Sequence, residues 1–278
     1  MRKRWLVSAG FATLGALLMQ PSLDAQWIRL RQQGVPRLAD GKPNLKAPAP
    51  HTADGKPDFS GMWLTGNPIP CVKEKGADFL ECGAELPIAK EGINMGISLP
   101  GGLPYRPDVA QMVKKRTADD AKDDPHARCL PDTFIRSYGL PHIIKIIQTP
   151  GVLVMLDEQN AGYRQVFTDG RALPIDPQPA WNGYSVGKWE GDTLVVQSIG
   201  FRDDLWLDLN GSPLTSAAKV TEKIRRPDYG HMEIELTVDD LKAYTKPWTV
   251  TLREAIVVDT ELVDEMCLEN EKSSQHLK

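Results

Sequence analysis

The clearest periodicity in the chain is the run in which Met232, Ile234, Leu236 and Val238 alternate with His231, Glu233, Glu235 and Thr237. Alternation with a period of two puts each set on its own face of an extended chain, so this run predicts a strand with one buried face. Its neighbours read the same way. Val220, Glu222 and Ile224 alternate with Thr221, Lys223 and Arg225, and Trp248, Val250, Leu252, Glu254, Ile256 and Val258 share one face of a last long strand. Upstream, Ile143 to Ile147 and Val152 to Leu156 flank Gln148-Thr149-Pro150-Gly151, a hairpin signal, and Tyr163 to Phe167 ends in the turn Thr168-Asp169-Gly170-Arg171. The stretch from Trp181 to Trp206 holds two more extended runs around Glu190-Gly191-Asp192, where a glycine free to take positive φ suits a tight connection. About eight strands are therefore expected from residue 142 onward, with short turns and few helices of crossover length between them. That pattern predicts a mainly β fold: one antiparallel sheet, closed or half-closed into a barrel, which would remove its exposed edges.

The first half is punctuated rather than periodic. Met1-Arg2-Lys3-Arg4, an apolar stretch from Trp5 to Met19 and a small residue at Ala25 make residues 1–25 an expected signal peptide, too short in its apolar part to span a membrane comfortably. Residues 26–62 read as an extended arm. It carries Ala39-Asp40-Gly41-Lys42-Pro43 and again Ala53-Asp54-Gly55-Lys56-Pro57, both turn signals. Phe59-Ser60-Gly61-Met62-Trp63 could form a first short strand. Residues 63–141 read as a capping region with short helices: one with Asp108 as N-cap ending near Ala121, and another through Phe134 and Tyr138. The barrel core is assigned to 142–270 and a disordered tail to 271–278.

Export changes how charge and cysteines are read. Losing residues 1–25 removes three basic side chains and one acidic one, taking the formal charge from −4 to about −6. A mildly acidic chain argues against a nucleic-acid partner. Exported proteins meet an oxidising compartment, so Cys71, Cys82, Cys129 and Cys267 are expected in disulfides; three pairings are open, among them Cys71–Cys82 with Cys129–Cys267. A four-thiolate zinc site would need two close pairs, and only one exists.

Candidate chemistry is sparse. Glu222 and Glu254 fall on apolar faces, where a carboxylate must be paired, hydrogen-bonded or raised in pKa. They are the candidate acid–base groups, with His142; pairing with an interior Arg, such as Arg164 or, after a bulge, Arg253, or a register shifted by one residue, is the structural alternative. His126, Arg128 and Arg136 precede the sheet and, with Tyr163, Arg164, Trp181, Tyr184 and Trp248, are the candidate ligand-binding residues. No metal site and no cofactor is expected: there is no His-Glu-x-x-His, and His126, His142 and His231 would have to meet in space. Gly183-Tyr184-Ser185-Val186-Gly187 has the spacing of a nucleophile elbow but precedes a strand instead of a helix, so a structural serine is the better reading. Asp203, Asp204, Asp208 and Asn210 lack calcium-loop spacing and read as a solvated turn.

The runs Gly187-Lys188-Trp189-Glu190-Gly191-Asp192-Thr193-Leu194-Val195-Val196, Tyr244-Thr245-Lys246-Pro247-Trp248 and Ala53-Asp54-Gly55-Lys56-Pro57-Asp58-Phe59-Ser60-Gly61-Met62-Trp63 resemble a family of uncharacterised exported proteins of soil bacteria. The resemblance runs from about residue 53 to 270 and implies a lipocalin-like barrel, but no activity. The expected function is thus an exported, periplasmic or secreted, binding protein for a small, partly apolar or aromatic molecule. A periplasmic hydrolase or lyase using Glu/His acid–base chemistry and a purely structural or interaction module stand as alternatives.

Overall fold

The computed structural model describes residues 30–69 and 86–269. The expected signal peptide, Cys71, Cys82 and the tail at 271–278 lie outside them. The strands are β1 (Gly61–Thr65), β2 (Pro68–Ile69), β3 (Leu86–Ala89), β4 (Ile144–Thr149), β5 (Val152–Asp157), β6 (Gly162–Phe167), β7 (Tyr184–Glu190), β8 (Thr193–Ile199), β9 (Leu205–Trp206), β10 (Pro213–Leu214), β11 (Lys219–Asp228), β12 (His231–Asp239) and β13 (Trp248–Val257). Three α-helices join them: α1 (Lys90–Ile93), α2 (Pro107–Ala118) and α3 (Phe134–Ser137).

Nine strands close a barrel in the order β1-β13-β12-β11-β8-β7-β6-β5-β4. The periodic runs form its wall, with Glu222 opposite Leu236 and Glu233 opposite Arg253 in register. The closing strand comes from outside the expected core. β1 pairs with β13 on one side and β4 on the other, so the barrel takes its ninth strand from before residue 142. Gly191 is the first of two residues joining β7 to β8 and takes φ +60°, the conformation a type II′ hairpin asks of that position.

One seam departs from the antiparallel expectation. β6 and β7 run parallel and share only two register pairs, Val166↔Ser185 and Phe167↔Val186. The turn at Thr168–Arg171 opens a crossover instead of a hairpin, because parallel neighbours need a dozen or more residues to bring the chain back to the starting end. The sheet is consequently splayed above those two pairs.

The two arm repeats fold alike. Gly41 and Gly55 both have positive φ, and Asn44 N donates to Pro36 O (2.8 Å) as Asp58 N does to Pro50 O (2.9 Å). α2 starts two residues earlier than expected: Pro107 occupies the first turn, where its missing N–H costs nothing, and Arg106 rather than Asp108 stands at the cap. Gly92 and Gly139 allow α1 to lie against the end of α3, since a Cβ on Gly92 would sit 2.1 Å from Gly139 O. Among the described residues no helix is long and apolar enough to cross a membrane.

The barrel interior is filled. Trp63, Leu194, Val196, Ile234, Leu236 and Tyr138 are all essentially inaccessible and belong to one cluster.

Candidate functional site

Across the middle of that apolar packing runs a charged network. Arg164 and Glu222, both buried, face each other from β6 and β11 as an ion pair. Nη1 of Arg164 reaches Glu222 Oε1 at 3.0 Å and Tyr138 Oη at 3.4 Å, Nη2 reaches Glu222 Oε2 and Ser198 Oγ (3.0 Å), and Nε reaches Ser185 Oγ (3.2 Å). A guanidinium has five N–H groups, and all five are engaged. Burial works against the cation, but the Glu222 carboxylate outweighs it and holds Arg164 above its ordinary pKa. Tyr138 enters from beyond α3 and donates to Glu222 Oε1 (3.0 Å); burial, then the nearby carboxylate, push its phenol well above the usual range.

Glu254 is different. It is 1 % exposed, its Oε1 has no partner, and burial alone pushes its pKa well above 4.5. Thr65, directly opposite it in the β1–β13 register, also has an unpartnered buried oxygen.

A second polar cluster lies around α3, on the face of the seam. Arg136 is fully buried and binds Asp124 through two bonds of 2.7 and 2.6 Å, with Asp132 at 3.1 Å. Asp132 also holds His126 Nδ1 at 2.8 Å, and that bond raises the imidazole pKa. Asp157, at the end of β5, accepts from Ser137 Oγ (2.5 Å) and Gln159 N (3.0 Å), while burial raises its pKa. His142 is pushed down by burial despite the pull of Asp157. The Cys129–Cys267 disulfide ties this cluster to the last described residues, and Asn160 bonds both halves. Its loop of 138 residues is long, so reducing it, or making C129S/C267S, should lower stability by about 2–4 kcal/mol in equilibrium denaturation. An unchanged midpoint would mean that the Asn160 bonds and packing suffice.

Between this cluster and the splayed seam is a cleft of about 460 Å³. Tyr163, Phe167, Trp181 and Tyr184 supply its aromatic walls; Asp132, Asp157, Gln159 and Asn182 its polar side; Arg164 and Ser185 its floor. Asn182 stands where β7 has not yet joined β6, and its Nδ2 caps the free Tyr163 carbonyl at 3.1 Å. Tyr163 is 66 % exposed, and its ring is the most accessible wall.

The structure thus gathers Tyr163, Arg164, Trp181 and Tyr184 at one place, with His126 behind Asp132. It separates the others. Arg128 is on the surface with Asp123 (2.7 Å), Arg136 is locked in its carboxylates, and Trp248 packs edge-on against Tyr244 at 5.4 Å. Glu222 and Glu254 sit in the packed interior and His142 beside Asp157; none of the three lines the cleft. His126 and His142 lie 5.7 Å apart between ring centres, whereas His231 belongs to the β11–β12 turn with Asp228. Ser185 is a strand residue bonded to Ser198, as a structural serine should be. Asp208 corrects the solvated-turn expectation: it is fully buried, accepting from Met95 N and Ser212. Sequence reasoning missed Asp157, although Leu153, Met155 and Asp157 share the inner face of β5, and that alternation was available to find it.

These features define a closed β-barrel with a filled, ion-paired interior and a side cleft at a parallel seam. Compared with known protein families and with curated proteins, the chain matches none.

Proposed function

We propose that the protein is an exported binding protein for a small, partly apolar or aromatic molecule, taken up at the β6–β7 cleft instead of in the barrel lumen. The observation that carries this reading is the cleft itself: its volume falls within the range of small-molecule sites, and aromatic rings wall it beside a few fixed polar groups. The lumen supports no container reading, since side chains fill it. Arg164 supports no anchoring role, since its donors are already spent on Glu222, Tyr138 and the two serines. An enzyme working through Glu222, Glu254 or His142 draws less support, because these groups stand away from the cleft.

Ligand-observed NMR with a panel of heteroaromatic fragments tests the proposal. Binding should weaken by about tenfold, or roughly 1.4 kcal/mol, in W181A and Y163A, the loss of one stacked ring. Tyr163 is exposed enough that Y163A should keep its melting temperature. Fragments that bind equally well to both variants would place the site elsewhere.

A further inference from the structure

Charge balance around the cleft names a ligand class, and this step rests on the cleft being the binding site. Three charged groups line it: Asp132, Asp157 and Arg164. Asp132 has two basic neighbours, His126 at 2.8 Å and Arg136 at 3.1 Å (the latter shared with Asp124), and Arg164 is paired with Glu222. Asp157 has only neutral hydrogen-bond donors, the Ser137 hydroxyl and the Gln159 backbone N–H, and among the described residues no Lys or Arg pairs with it. Burial raises its pKa, and these two donors work the other way, toward the ionised form. The nearby base, His142, has its charged form disfavoured by burial. A carboxylate 5 % exposed, on the wall of a cleft and without a cation, is costly while ionised, and a bound cation would offset that cost.

The aromatic walls of the cleft suit the same charge. Aromatic faces attract cations through the ring quadrupole. Two of these rings already do so: the Arg202 guanidinium lies 4.5 Å from the Trp181 ring centre, and that of Arg171 3.8 Å from Phe167. Asp204 and Asp169 neutralise those two arginines, so they place no net positive charge at the cleft mouth to repel a cation. From a lone Asp157 in a cleft walled by aromatic rings, we propose that the cleft selects organic cations: a protonated amine or quaternary ammonium on a planar, apolar body. The ammonium pairs with Asp157, and the body stacks among Tyr163, Trp181 and Tyr184.

Three indoles of similar shape test this by calorimetry on the whole protein at pH 7: tryptamine (cation), 3-(2-hydroxyethyl)indole (neutral) and indole-3-propionate (anion). Tryptamine should bind about tenfold tighter than the neutral indole, with the anion weakest. D157N should erase the preference of tryptamine over the neutral indole. If D157N does not fold, the ranking on the unaltered protein still decides. Equal binding of all three, weakened throughout by W181A, would overturn cation selection and leave the cleft reading intact. Tighter binding of the anion would also overturn it. No binding of any probe at millimolar concentration would overturn both.

Discussion

Replacing Arg164 by methionine should lower the unfolding free energy by about 3–5 kcal/mol, among the largest effects any single side chain of this protein can have. The reason is what remains. Glu222 would keep its place in the barrel with only Tyr138 to donate to it, an ionised carboxylate in an apolar surround. Ser185 and Ser198 would lose the guanidinium but keep each other at 2.8 Å. E222L should cost a similar amount, by stranding the cation. The double variant R164M/E222L should recover much of either loss, because no charge is then left buried and apolar side chains of similar volume take the space. Guanidinium titration at pH 7 gives the numbers, and the single variants should melt about 10 °C lower. Losses below 1 kcal/mol in both would mean that water reaches the pair.

The second large effect is a pH dependence owed to Glu254. Its folded pKa lies well above its ordinary 4.5, so between those values the folded chain holds a proton that the unfolded chain has released. The contribution to stability is complete below pH 4.5 and falls as pH rises, by about 1.4 kcal/mol per unit, until the folded group itself ionises. E254Q removes the titrating group. The difference between the two stability curves should therefore be flat below pH 4.5 and grow steadily above it, in favour of E254Q. A difference independent of pH would show that Glu254 has a partner or water access that keeps it ionised. Other carboxylates cancel in this comparison, which is why the variant is needed.

Glu254 also shows how far residue patterns reach. Alternation along β13 and β11 puts Glu254 and Glu222 among apolar neighbours, and the same alternation turns Arg253 outward, where it meets Glu233 at 3.8 Å. Arg164 was legible as a partner for a buried glutamate, since it alternates with Tyr163 and Gln165 on β6. The ring of strands from β4 to β13 was legible for the same reason. Asp157 was overlooked because a polar residue closing an apolar run looks like the start of a turn. Trp248 reads as a binding residue from sequence because indole serves cores and ligand walls alike, and its T-shaped packing on Tyr244 depends on a segment that folds back before β13.

What the sequence determined by itself, then, is local and periodic: the strand faces, the Gly191 hairpin, the two arm turns and the burial of two glutamates. Each follows from contacts spaced by two residues or from the φ a turn requires. What only the tertiary structure decided is everything that joins distant stretches: the closure of the barrel by β1, the pairing of Arg164 with Glu222, the disulfide partner of Cys129, and the cleft. The cleft exists because the crossover after β6 returns β7 in the parallel sense and lets only two residue pairs meet. No spacing along the chain encodes that. It is set by where a 16-residue connection can lie once both flanking sheets are already paired, and the aromatic rings it brings beside Asp157 come from three separate elements.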